Sequence, residues 1–146
     1  EKEKQHLNLI WHRLHPWEDT IPGLQLLKQR FNIVTLSNGN LGLLANMAKY
    51  SGLPWDLILS AEVFRHYKPD PETYLGVADI FDVQPSEVML VATHTNDLNA
   101  AKSYGLKTAY VHRPLEFGAN QIKPMPDVSG FDCCANDFID LANQLV

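Results

Sequence analysis

Three polar clusters carry the residue types of a reaction site: Ser37-Asn38 in IVTLSNGN, Lys68 in HYKPDPETY, and His94 to Asp97 in VMLVATHTNDLNAA. A serine hydroxyl and an asparagine amide, with backbone N–H groups beside them, can hold a carboxylate or another anion at a helix start. The ammonium of Lys68 can sit against a carboxylate nucleophile or a negative charge that grows during a reaction. The imidazole of His94 can accept a proton or hydrogen-bond a ligand. Asp97 falls in the first turn of a predicted helix, where a carboxylate is stabilised by the helix dipole. None of these residues is itself an evident nucleophile. The set reads as most of an active site without its reactive group.

Each residue taken singly also has a plain local reading. Ser, Asn and Gly in succession are ordinary turn formers. Lys68 precedes a proline and so stands in an extended loop, where lysines are commonly solvated. Asp97 is suited to a first helical turn whatever else it does, and a loop histidine needs no function. Tyr74, six residues after Lys68, can reach the same pocket or pack in the core. His12 and His15 lie three apart at a helix end, but no third metal ligand accompanies them. Asp70 and Glu72 read as helix-start carboxylates, and no glycine-rich phosphate loop is present.

The clusters depend on alternating strands and helices. An opening helix carries Leu7, Ile10, Trp11 and Leu14 as an apolar stripe and stops at His15-Pro16. Pro22 suits the first turn of the next helix, which leads to a strand over 32–36. A helix then runs to about Tyr50, and Ser51-Gly52-Leu53-Pro54 ends it. Leu57-Ile58-Leu59 is a short strand, and Asp70-Pro71 opens another helix with Asp70 as its cap. Val88 to Ala92 reads as a strand buried on both faces. Thr95 or Asn96 caps the next helix, and Gly105 closes it. A strand over 107–111, a Pro/Gly-bearing loop to about Gly130, a strand near 131–134 and a helix from Asn136 complete the chain. This order predicts a Rossmann-like α/β fold with a parallel sheet flanked by helices. In such sheets ligands bind beyond the carboxyl ends of the strands, where all three clusters fall.

Composition sets the outer bounds. The 146 residues match one domain, and the net charge of −5 with no basic stretch argues against a nucleic-acid surface. No apolar run approaches the roughly 20 residues of a membrane span, and EKEKQHLN lacks the apolar centre of a signal peptide. Cys133 and Cys134 are adjacent and would point to opposite faces of a strand, which disfavours a disulfide and suits a cytoplasmic setting. The chain starts without Met and already in a helical pattern, as a fragment or processed piece would.

In order and together, LSNG, YKPDPETY and LVATHTNDLNAAKSYGLKTAYVHRP resemble the haloacid dehalogenase superfamily, most of all its type II, L-2-haloacid dehalogenases. The resemblance implies that residues 1–15 are the last helix of a cap domain and 16–146 a Rossmann-like core lacking its central first strand. It implies hydrolysis of a small L-2-haloacid to a 2-hydroxy acid through an aspartyl ester, with the nucleophilic aspartate upstream of this chain. Lys68 and Asp97 then take catalytic places, and Ser37, Asn38 and Tyr74 bind substrate. His94 stands where the family usually has asparagine, and Ala92 where it has serine. We expect His94 to assist ester hydrolysis. Phosphatases of the superfamily place a magnesium-binding acid where this chain has Ala92-Thr93, so no metal or cofactor is expected. A superfamily phosphatase and a catalytically dead fragment are the competing readings. The expected partner is a small 2-haloacid, with no nucleic acid or membrane, and a homodimer is compatible with the resemblance.

Overall fold

A computed structural model describes residues 2–146. The chain opens with α1 (Lys2–Ile10), which tightens into a 3₁₀ turn over Trp11–Arg13 and becomes extended at Leu14. The regular helix therefore ends earlier than the proline alone dictates. Its stripe is uncovered, with Leu7 61% and Trp11 60% exposed. The chain continues through α2 (Thr20–Leu27), β1 (Val34–Ser37), α3 (Leu41–Ser51), β2 (Leu57–Ser60) and a short α4 (Ala61–Phe64). Next come α5 (Pro71–Phe81), β3 (Met89–Ala92), α6 (Thr95–Ser103), β4 (Lys107–Val111), β5 (Cys133–Ala135) and α7 (Phe138–Leu145).

The strands and helices alternate as expected, and every strand pairing is parallel. The pairings fall into two sheets, β1-β2 and β3-β4-β5. Both sheets nevertheless feed the same two apolar clusters. Ile33, just before β1, shares one with Met89, Val91, Ala109, Leu24 and Leu141. Leu36 of β1 shares the other with Leu90, Leu98, Tyr74 and Tyr110. β1 and β3 thus border a common core without exchanging backbone hydrogen bonds. Their facing edges have no strand partner among the described residues, which explains a second departure. β3 was expected to be buried on both faces, but only Leu90 is buried, and all of β1 is half-buried.

Local signals account for most boundaries. Gly52 takes the left-handed conformation (φ 68°) that ends α3, and Asn40 caps that helix by accepting from Leu43 N at 2.8 Å. The expected side-chain cap at Asp70 does not form. Its carboxylate lies 3.4 Å from His66 Nδ1 instead, while Pro71 fills the first helical position as expected. The cap position of α6 is His94 rather than Thr95 or Asn96, and its side chain makes no capping bond. Cys133 and Cys134 are free thiols, and they pack into opposite clusters as strand alternation requires.

α2 and α7 pack closely against each other. A Cβ built on Gly23 would lie 2.4 Å from Phe138 Cβ and 2.6 Å from its backbone carbon. Neither atom can rotate away, so the two helices need glycine there. Gly23→Ala should cost about 1–3 kcal/mol, read as a lower denaturant midpoint with an unchanged slope.

Candidate functional site

The loop between α4 and α5 is pinned to its surroundings by four side-chain bonds. Asn38 clamps the Lys68 backbone from both ends of its amide: Oδ1 accepts from Lys68 N at 2.7 Å, and Nδ2 donates to Lys68 O at 3.2 Å. Thr73 Oγ1 donates to His66 O at 3.0 Å, and Tyr104 OH donates to Pro69 O at 3.1 Å. This lattice fixes where the Lys68 side chain starts. Its ammonium then reaches Asp97 Oδ2 at 2.5 Å, with both side chains about four-fifths buried (18% and 19% exposed).

Asp97 is held from its other oxygen by Tyr74, whose OH donates to Oδ1 at 2.7 Å. The Tyr74 ring is fully buried and tilts against Tyr104 at 5.5 Å. Burial, and then the hydrogen bond and charge of Asp97, push the Tyr74 phenol well above its ordinary range. Tyr74 therefore remains a protonated donor at any working pH. A carboxylate bonded to a lysine and a tyrosine has a fixed orientation and one ammonium at hand. Such a centre can support an incoming carboxylate or an anionic transition state.

Lys68 and Tyr74, singled out in one stretch of sequence, and Asp97, singled out in another, meet in this one cluster. Asn38 joins it through the backbone of Lys68. Ser37 closes β1 on the neighbouring strand end and accepts from Gly39 N at 3.0 Å. Three of the N–H groups there are engaged within the protein: Gly39 by Ser37, Leu41 by Glu62 at 2.7 Å, and Leu43 by Asn40. The turn at 37–40 thus uses much of its polarity locally.

His94 makes its hydrogen bond outside the cluster. Its Nε2 lies 2.5 Å from Glu116 Oε1, in the loop after β4, and its side chain is 62% exposed. Lys123 completes this second network. It donates to Glu116 Oε2 at 2.7 Å, to Thr93 O at 2.7 Å and to Thr93 Oγ1 at 3.0 Å. Burial raises the Glu116 carboxyl, but hydrogen bonds from Lys123 and His94 more than reverse this and leave it below its usual value. Sequence reasoning missed Glu116 and Lys123, because neither lies in a periodic segment or a recognisable spacing.

His12 and His15 do not converge on a common ligand position. Asn46 Nδ2 donates to His12 Nδ1 at 2.8 Å, and the His15 ring lies 5.5 Å from Tyr50. Among the described residues, no helix is long and apolar enough to cross a membrane.

Comparison with known proteins bears directly on this geometry. The structure superposes on the L-2-haloacid dehalogenase PA0810 with a TM-score of 0.94 at 46% identity, covering 99% of this chain and 62% of that one. (S)-2-haloacid dehalogenase 1 from Pseudomonas sp. (strain CBS-3) is 33% identical over 113 residues, 75% of this chain and 50% of that protein. A phosphoglycolate phosphatase from Thiobacillus denitrificans (strain ATCC 25259 / T1) is 28% identical over 116 residues, 77% of this chain and 49% of that protein. The chain thus spans about half the length of these curated relatives. A family model of haloacid dehalogenase-like hydrolases matches residues 1–105, which include Ser37, Lys68, Tyr74 and Asp97. With that match laid over a parallel α/β core and its Lys–Asp–Tyr cluster, the chain belongs to the haloacid dehalogenase-like hydrolase family.

Proposed function

We propose that these residues carry most of the active site of a 2-haloacid dehalogenase, with the nucleophilic aspartate on a strand outside residues 1–146. The observation that carries the reading is the Lys68–Asp97–Tyr74 cluster, rigidly held and lacking a nucleophile of its own. The unpaired facing edges of β1 and β3 support it, because one further parallel strand would complete both ladders. A carboxylate at that strand's end would lie between the turn at Ser37 and the cluster at Asp97.

In this reading the aspartate attacks the α-carbon of the haloacid and expels halide, leaving an ester. Ser37 and Asn38 hold the substrate carboxylate, Lys68 holds the nucleophile, and Tyr74 lines the pocket while fixing Asp97. Water then attacks the ester carbonyl carbon. The bond to the substrate-derived alkoxide breaks, and a 2-hydroxy acid leaves with the aspartate restored. Asp97 supports this second step, and His94, three residues before it in the chain, assists. Residues 1–15 serve as the last helix of a cap and 16–146 as the core, in an enzyme of the cytoplasm that is compatible with homodimer formation.

The phosphatase reading rests on the phosphoglycolate phosphatase relatives. Ala92-Thr93 weighs against it, since neither residue offers the carboxylate that a hard cation prefers. The full-length protein should release chloride from L-2-chloropropionate, and chelation of divalent metal should leave that rate unchanged. Magnesium-dependent phosphate release from phosphoglycolate without halide release would overturn the assignment. Neither activity would point to a catalytically dead member.

A further inference from the structure

The network around His94 shares no hydrogen bond with the Lys68–Asp97–Tyr74 cluster, and its geometry is specific. Glu116 uses one oxygen on His94 Nε2 and the other on Lys123. Lys123 in turn is anchored to both the carbonyl and the hydroxyl of Thr93, the residue next to His94. A carboxylate in that position must accept, so Nε2 carries the proton in the neutral ring. Nδ1 then keeps its lone pair. No protein group among the described residues bonds Nδ1, and the ring is open enough for water to reach it.

We propose that Glu116 is a positioning residue for the hydrolytic half-reaction: it fixes the His94 tautomer and ring orientation so that Nδ1 accepts the proton of the attacking water. The inference rests on the dehalogenase reading above. As water's oxygen bonds to the ester carbonyl carbon, one water proton passes to Nδ1. Collapse of the tetrahedral intermediate breaks the carbon–oxygen bond to the departing 2-hydroxy acid, whose alkoxide takes that proton back from the imidazolium. The water's second proton stays on the aspartic acid and is lost to solvent as the carboxylate re-forms. Lys123 keeps Glu116 ionised and ties the pair to Thr93, just after β3, so the base sits at the cap of the helix whose first turn carries Asp97. The first half-reaction, carbon–halogen cleavage, involves no proton transfer and needs neither residue.

Rapid-mixing kinetics on the full-length protein separate the two steps. With L-2-chloropropionate in excess, Glu116→Gln should leave the chloride burst unchanged in rate and amplitude. Release of the hydroxy acid should slow by roughly 100-fold, and the ester should accumulate as a mass adduct on the enzyme. The burst amplitude counts intact sites, so a misfolded variant is recognised at once. His94→Ala should give the same pattern, and the double variant should be no slower than the worse single one. A Glu116→Gln protein with normal hydrolysis, or with both steps slowed equally, would overturn the role of Glu116 alone. A parent enzyme that releases no chloride at all would overturn the dehalogenase reading and this inference with it.

Discussion

On the proposed dehalogenase reading, replacing Lys68 by methionine in the full-length protein should lower halide release from L-2-haloacids by roughly 100- to 1,000-fold, as removal of one preorganised electrostatic donor typically does. Methionine keeps most of the length of the stem and removes the ammonium. The backbone clamp from Asn38 uses only Lys68 N and O, so the loop should stay in place. The loss should therefore appear in kcat for the chloride burst, the step in which a carboxylate must be held and aimed. A variant whose burst rate matches the parent would show that Lys68 serves Asp97 structurally and nothing more. Lys68→Arg is an informative companion, because its planar fork cannot place one cation at the 2.5 Å site occupied by Nζ. It should restore little of the rate.

The second large effect concerns stability. Arg113 makes a bidentate pair with Asp19, at 2.8 and 2.7 Å, and Asp19 Oδ2 also accepts from Phe138 N at 2.8 Å. The guanidinium stacks over Trp17 and Phe138, at 5.5 and 5.3 Å from their ring centres. One ion pair thus ties the approach to α2, the end of β4 and the start of α7. Arg113→Ala strands a largely buried carboxylate and should cost about 3 kcal/mol or more in the denaturant midpoint.

The pair also leaves a pH signature. Burial raises the Asp19 carboxyl, and Arg113 with the Phe138 N–H overcomes this, so its folded pKa lies below the ordinary 3.8. A depressed carboxyl contributes stability that is complete above the unfolded pKa and is lost as pH falls through the lower, folded one. The gap in stability between the parent protein and Arg113→Ala should therefore be widest near neutrality and narrow below about pH 3.8. A gap that stays constant through that range would mean that Arg113 acts by stacking and not by charge.

Much of the site was legible because its residues sit at the ends of apolar runs. Val34 to Leu36 and Met89 to Ala92 announce themselves as strands, and each gives way to polar residues at its carboxyl end. Lys68 and Tyr74 were legible as a pair, because Pro69 forces a loop and Pro71 starts a helix that carries Tyr74 inward. The role of Asn38 could not be read. Its partner is the backbone of a residue thirty positions on, and backbone atoms carry no sequence signal. Glu116 and Lys123 were hidden for a related reason. They occupy a loop whose shape is set by where it lands, at Thr93 and His94, and not by any pattern of its own. The early end of α1 and the cap position of α6 were misplaced by a few residues, the usual reach of frayed helix ends.

The separation between β1 and β3 also governs how copies of this chain would meet. Besides the outer edges at β2 and β5, the two sheets present open backbone edges at β1 and β3, which belong to different strands with different sequences. Contact between the β1 edge of one copy and the β3 edge of another is heterologous, so it leaves the same two edges free at either end. Such contacts propagate into filaments unless their rotation happens to close a ring, whereas a twofold dimer closes on itself. A single strand lodged in the slot occupies both edges at once. It would therefore close this β1–β3 route of assembly as well as complete the fold.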